Sequence, residues 1–207
     1  VTESLGHSVQ KFSPSGALLA KWGSRGIRGS GYGQFDEPRG VAVDTLGNVY
    51  VVDTGNRRVQ KFNSNGVFLA KWSGQGSLDG QFNRPLGIAV DVAGNMYVTD
   101  SESIRVQKFS PSGVFLVKWG TKGSLDGQFS LPLGIAVDGA GNVYVTDTSN
   151  NRVQKFSSNG DFLAKWGTFG NKAGQFSSPI GIAVDGAGNV YVADARNNRV
   201  QKFSLVQ

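Results

Sequence analysis

Apolar positions along this chain fall in short runs of β-branched and aromatic residues, each closed by Gly, Asn, Asp, Ser or Pro. The stretch 132–166 shows the pattern. Gly134 to Asp138 is a short apolar run behind Pro132, and the turn residues Gly139 to Asn142 follow it. Val143 to Thr146 is β-branched and aromatic, and Asp147 to Asn151 is polar. Arg152 to Phe156 is a third run, Ser157 to Gly160 a turn, and Phe162 to Trp166 a fourth run. Runs of this length between such breakers predict β-strands joined by hairpin turns. We letter them a, b, c and d in chain order. No window carries a convincing apolar period of 3.6 residues, so almost no helix is expected.

The pattern repeats. Gly-Gln-Phe begins at Gly33, Gly80, Gly127 and Gly174, in steps of 47 residues. Val-Gln-Lys-Phe begins at Val9, Val59, Val106, Val153 and Val200, with one step of 50 and three of 47. The long step reflects a three-residue insertion near Ile27 to Tyr32. Four strands per repeat of this period predict an all-β fold, a β-propeller of four-stranded antiparallel blades. A lone four-stranded sheet cannot bury both faces, whereas stacked blades cover one another. That accounts for strands a and b being apolar nearly throughout instead of alternating. Pro38, Pro85, Pro132 and Pro179 stand at the entrance of strand a, where a missing N–H is tolerated.

The consensus GQF-x-x-P-x-GIAVD-x-x-GNVYV-x-D-x-x-NNRVQKF-x-x-x-G-x-FLAKWG closely resembles the NHL repeat, in register over essentially the whole chain. The resemblance implies a propeller, commonly of six blades. Val1 to Ser4 aligns with Val98 to Ser101, so about four and a half blades are expected within a single domain over 1–207. Residues 1–35 are read as a partial blade b-c-d with its linker. Residues 36–82, 83–129 and 130–176 are whole blades, and 177–207 is a partial blade a-b-c. Both ends bring a strand b and a strand c, which duplicate instead of completing one another. The expectation is therefore a piece of a larger ring. A five-position ring with one defective blade, or a homo-oligomer in which open blade ends pair, are the alternatives the pattern leaves.

Charge modifies this picture little. The chain holds 21 Lys and Arg against 15 Asp and Glu, a net charge of +6. Thirteen of the basic residues and eight of the acidic ones recur in register, and their difference of +5 is spread around the ring. They are the lysines of strands c and d, the arginines that open strand c, and the aspartates that follow strands a and b. The aspartate after strand a (Asp44, Asp91, Asp138, Asp185) is expected to bond its own turn. The aspartate after strand b and the arginine opening strand c (Asp147 and Arg152, for example) are expected to pair. Trp22, Trp72, Trp119 and Trp166 are read as packing residues at the end of strand d. There is no Cys, hence no disulfide and no thiolate metal site, and no stretch approaches the roughly 18 apolar residues of a membrane span.

Function is expected where the copies differ. If strands alternate in direction, the d–a and b–c loops share one face, and these are the variable ones; the opposite face carries monotonous Gly-Asn and Ser-Gly turns. Binding residues sit preferentially on such loops. The candidates are Arg25, Arg28, Tyr32, Arg39, Arg57, Arg84, Lys122, Phe169, Lys172 and Arg196. Arg25, Arg28 and Arg39 cluster in sequence with Tyr32 between them, a combination suited to an acidic partner or a phosphate backbone.

Some propellers of the resembled family are enzymes, among them the peptide-amidating lyases and the streptogramin lyases, which hold metals in His-rich sites. This chain has one histidine, His7. A catalytic zinc needs about three protein ligands, and no Ser-His-acid set is credible here. No catalytic residue, metal site or cofactor is therefore assigned. The leading reading is a non-enzymatic protein-interaction scaffold acting through its variable loop face. An RNA-binding propeller with a basic face is the alternative, and a metal-dependent lyase-type propeller is the third.

Overall fold

The computed structural model describes residues 1–23 and 26–204 of the chain. Among these described residues, eighteen strands form five antiparallel sheets. Blade 1 holds β1 (Thr2–Glu3), β2 (Ser8–Phe12) and β3 (Leu18–Gly23). Blade 2 holds β4 (Pro38–Val43), β5 (Val49–Asp53), β6 (Arg58–Phe62) and β7 (Phe68–Ser73). Blade 3 holds β8 (Pro85–Val90), β9 (Met96–Asp100), β10 (Arg105–Phe109) and β11 (Phe115–Trp119). Blade 4 holds β12 (Pro132–Val137), β13 (Val143–Asp147), β14 (Arg152–Phe156) and β15 (Phe162–Trp166). Blade 5 holds β16 (Pro179–Val184), β17 (Asn189–Asp194) and β18 (Arg199–Ser204). The described helix is limited to two 3-10 turns, Thr148–Asn150 and Ala195–Asn197. No described helix is long and apolar enough to cross a membrane.

The architecture is the expected propeller. Each sheet is a meander, and β4, β8, β12 and β16 lie side by side along the axis. Strand a starts two residues earlier than the apolar run suggests, at the proline itself: Pro132 pairs with Asp147, and a bulge follows before Ile135.

The core is divided among the blade interfaces. Val9, Phe35, Val49, Val51 and Phe62 fill the space between blades 1 and 2. Tyr144, Val153, Phe176, Val190 and Val192 do the same between blades 4 and 5. Both faces of an inner blade are covered, so every residue of β9 and β13 is buried. The outermost faces differ. Val200 is 67% exposed where Val59, Val106 and Val153 are fully buried, and Phe12 is 41% exposed where Phe62, Phe109 and Phe156 are buried.

Template residues are consumed by the scaffold. Asp138 Oδ1 accepts the N–H groups of Ala140 (3.0 Å) and Asn142 (2.8 Å), and its Oδ2 accepts from Asn142 Nδ2 (2.8 Å) and the Tyr144 hydroxyl (2.9 Å). The expected self-bonded turn is thus formed, and it recurs at Asp44, Asp91 and Asp185. The tryptophans Trp22, Trp72 and Trp119 lie over Gly66, Gly113 and Gly160 in the c–d turn of the next blade. Along the axis, a Cβ on Gly40 would fall 2.5 Å from the Leu86 carbonyl, so the inner strands approach as closely as they do only because this position lacks a side chain.

Candidate functional site

The strand directions bring the variable d–a and b–c loops onto one face. There, one buried network recurs. Asp147, fully buried at the end of β13, accepts Arg152 Nε (2.9 Å), Asn150 Nδ2 (2.8 Å) and the Ser130 N–H (2.8 Å). The Arg152 guanidinium then donates to the carbonyls of Ser124 (2.8 Å), Leu125 (2.9 Å) and Gln128 (2.8 Å), clamping the preceding d–a loop to the sheet. Arg58 with Asp53 and Arg199 with Asp194 repeat it at 2.7 and 2.8 Å. The expected Asp–Arg pairing is thus made within the blade.

Blade 3 departs from this. Ser103 replaces the loop asparagine, the Arg105–Asp100 contact stretches to 3.5 Å, and Arg105 Nε is left without a partner. Burial and hydrogen bonding oppose each other at these carboxylates. At Asp53 burial wins over the bonds from the Asp36 N–H, Asn56 and Arg58, and raises the carboxyl above its ordinary range. At Asp194 burial is again the largest single influence, but the bonds from the Ser177 N–H, Asn197 and Arg199 together outweigh it and lower the group.

On this clamp stand the residues that vary. Four kinds of loop position recur at each junction between neighbouring blades, and between blades 4 and 5 they line a cleft. They are the tip of the d–a loop, the last residue of the b–c loop, the two residues before the next blade's proline, and the second residue of each b–c loop. The last b–c residue is always left-handed: His7 (φ 46), Arg57 (φ 52), Ile104 (φ 54), Asn151 (φ 52) and Asn198 (φ 52). In two notches it reaches across to the next blade. Asn151 Oδ1 accepts the Ser178 N–H at 3.0 Å, and His7 Nδ1 accepts the Glu37 N–H at 3.1 Å. His7, weighed in the sequence only for catalysis and metal binding, is thus an interblade bridge. The signal that reveals this is its alignment with Asn151.

The ten candidates distribute over several sites. Arg28 lies 3.5 Å from Asp36 and 4.0 Å from Glu37, and Arg39 lies 3.5 Å from Glu37, so acids from the same notch neutralise both. Arg39 also lines a central cleft of about 500 Å³ with Leu86, Leu133 and Ile180. Tyr32 is not brought to Arg39. It stacks on Phe68 at 4.5 Å under the Lys71 ammonium, at the sequence position where Asp79 and Asp126 pair with Lys118 and Lys165. Arg57 and Arg84 stand at the repeat positions of Asn151 and Ser178, and the Arg84 N–H donates to Asp100 Oδ1 at 2.7 Å. Lys122 and Phe169 occupy equivalent d–a loop tips, bridged to Phe129 and Phe176. Lys172 holds the loop through its backbone, accepting from Arg199 at 2.7 Å. Arg25 lies outside the described residues.

Phe169 and Arg196 are brought together. With Thr148, Ser149, Asn151, Ser177 and Ser178 they line a cleft of about 260 Å³ between blades 4 and 5. Sequence reasoning missed its serines. The available signal is that Ser177-Ser178 stands where the other copies carry Asp36-Glu37, Asn83-Arg84 and Ser130-Leu131. Among the described residues, no group of three His, Asp or Glu side chains is placed to hold a metal ion.

Comparison with known proteins agrees with this geometry. The streptogramin B lyase structure superposes with a TM-score of 0.68 at 14% identity, over 100% of this chain and 64% of that one. A Bacteroides thetaiotaomicron protein of unknown function gives a TM-score of 0.72 at 21% identity, over 96% and 54%. An auxiliary nutrient binding protein from Bacteroides ovatus gives 0.65 at 14%, over 94% and 58%. The chain thus spans under two thirds of these structures, and at such identities they share its fold. A search of curated proteins found no match. The NHL repeat matches residues 35–62, 82–109, 129–156 and 176–203, more than half of the sequence. The chain belongs to the NHL-repeat family.

Proposed function

We propose that this propeller is a non-enzymatic binding module that engages a protein partner through its d–a and b–c loop face. One observation carries the reading. The in-register arginines and aspartates are spent on the buried clamp, whereas Arg57, Arg84, Lys122, Phe169 and Arg196 vary from blade to blade on one face, and none of their side chains has an ion-pair partner among the described residues. A rigid scaffold presenting variable side chains is the arrangement that recognition by loops uses.

The neutralised Arg28 and Arg39 weigh against a continuous basic face for RNA. The test replaces Arg57, Arg84, Lys122, Phe169 and Arg196 together by alanine, and separately replaces Leu46, Asn65, Ser112 and Ser158 on the opposite face. Captured partners are compared in extracts of the source cells. Loss of a protein partner with the first set alone supports the reading. Equal capture by both sets overturns it, and capture of RNA with a steep salt dependence replaces it by the nucleic-acid alternative.

A further inference from the structure

We propose that the cleft between blades 4 and 5 is a carboxylate-recognition subsite, which takes an acidic group attached to a short apolar or aromatic body. The proposal rests on the loop-face reading and gives it a ligand chemistry. The cleft exists by subtraction. Two serines stand before Pro179, and the Asn151 bridge to the Ser178 N–H (3.0 Å) ties the b–c loop of blade 4 to that segment. The walls come from Phe169, which is 73% exposed on the d–a loop tip, and from Arg196 at the b–c loop of blade 5.

The lining selects charge. It contains no Asp or Glu, and Arg196 has no ion-pair partner among the described residues. Ser149, Ser177 and Ser178 line the cleft beside the arginine and bring hydroxyl groups to its wall. The Arg196 backbone is pinned because its N–H donates to the Ser177 carbonyl at 3.0 Å, so the side chain starts from a fixed point. A planar guanidinium beside hydroxyl donors matches a carboxylate in a bidentate arrangement. Phe169 then offers a ring face to whatever apolar group carries the acid.

Size selects the rest. At about 260 Å³ the cleft falls below the roughly 300 Å³ at which ordinary small-molecule pockets begin. It therefore fits one side chain or a fragment. The notch between blades 1 and 2 shows the contrast: Asp36 and Glu37 occupy the serine positions and would repel the same ligand.

The test is an NMR titration of the 15N-labelled chain with sodium phenylacetate, with phenylacetamide as the uncharged control. A short blocked peptide carrying Glu beside Phe serves as the macromolecular source of the same chemistry. The expected result is saturable shifts at the amides of Ser177, Ser178 and Arg196 with phenylacetate. They should weaken at least about tenfold in Arg196→Gln, which removes a charge-assisted bond, and weaken in Phe169→Ala. Tighter binding of the peptide assigns the subsite to a peptide partner; tighter binding of phenylacetate assigns it to a free acid.

Absence of saturable shifts at these amides overturns the proposal, as does equal binding of phenylacetamide. If phenylacetate fails while the five-residue loop variant still loses its partner, the subsite falls and the binding-module reading stands. If phenylacetate binds and partner capture is unaffected, the reverse holds.

Discussion

The notch between blades 1 and 2 and the notch between blades 4 and 5 share one backbone device and carry opposite chemistry. In the first, His7 Nδ1 accepts the Glu37 N–H, and Glu37 is left-handed (φ 49). In the second, Asn151 Oδ1 accepts the Ser178 N–H, and Ser178 is left-handed (φ 54). The first notch is closed by its own charges: Asp36 and Glu37 sit among His7, Arg28 and Arg39. Asp36 Oδ1 accepts no hydrogen bond there, lying 3.5 Å from Arg28 Nε and 3.6 Å from His7 Nδ1. The second has no acid and stays open, with Arg196 unpaired among the described residues. The difference teaches that two junctions can keep the same tie between blades while the chemistry around the tie changes.

Equivalent substitutions in the two clamps should separate most. Arg58→Ala strips a fully enclosed Asp53 of its guanidinium and is expected to cost about 3–5 kcal/mol in urea unfolding. Arg199 has 30% of its side chain exposed, so water can take the place of its guanidinium beside Asp194 once it is removed, and Arg199→Ala should cost about 1.5 kcal/mol. Equal losses would show that solvent access does not distinguish the two ends.

Next in size is the bridge itself. His7→Ala leaves the Glu37 N–H unmet at a part-buried interface and should lower stability by about 1 kcal/mol. His7→Asn installs the side chain that blade 4 already uses, and most of that loss should be recovered in the same melting experiment. A His7→Asn variant as unstable as His7→Ala would break the equivalence of the two notches.

Acid should also discriminate. Bonds from the Asn189 side chain and N–H, joined by those from the Tyr191 hydroxyl and the Ala187 N–H, outweigh burial and lower Asp185 from its ordinary 3.8 to about 2. A lowered carboxyl contributes stability that is present above pH 3.8 and is lost as pH falls toward 2. Asp194 is lowered as well and loses its contribution on the same side, whereas Asp53 is raised and takes its proton above 3.8, in the direction that favours the folded state. Carboxyl-detected NMR should therefore show Asp53 titrating before Asp194 as the solution is acidified. The reverse order would mean that burial does not govern this pair.

The smallest effect is expected at the cleft mouth. Phe169→Lys copies Lys122 and should change stability by less than about 0.5 kcal/mol, because the ring is largely in water. A larger loss would make Phe169 a packing residue, comparable with Tyr32 on Phe68.

Much of this was legible in the chain. The 47-residue period fixed four strands per blade, because strand-length apolar runs between glycine and asparagine turns have no other way to bury both faces. The self-bonded turn of Asp138 and the pairing of Asp147 with Arg152 followed from residue type and spacing, since both are local. The strand directions also placed the variable loops on one face.

What the sequence determined is therefore whatever depends on neighbours along the chain: strands, turns, the repeat and the short-range clamp. The tertiary structure alone decided what lies across a blade interface. His7 gains its role from a peptide 30 residues away, Tyr32 is drawn to Phe68 and away from Arg39, and Phe169 meets Arg196 over two serines. The physical reason is that blade packing juxtaposes side chains from successive repeats. A linear pattern records that each repeat is present, and only the stacked blades set the distance between them.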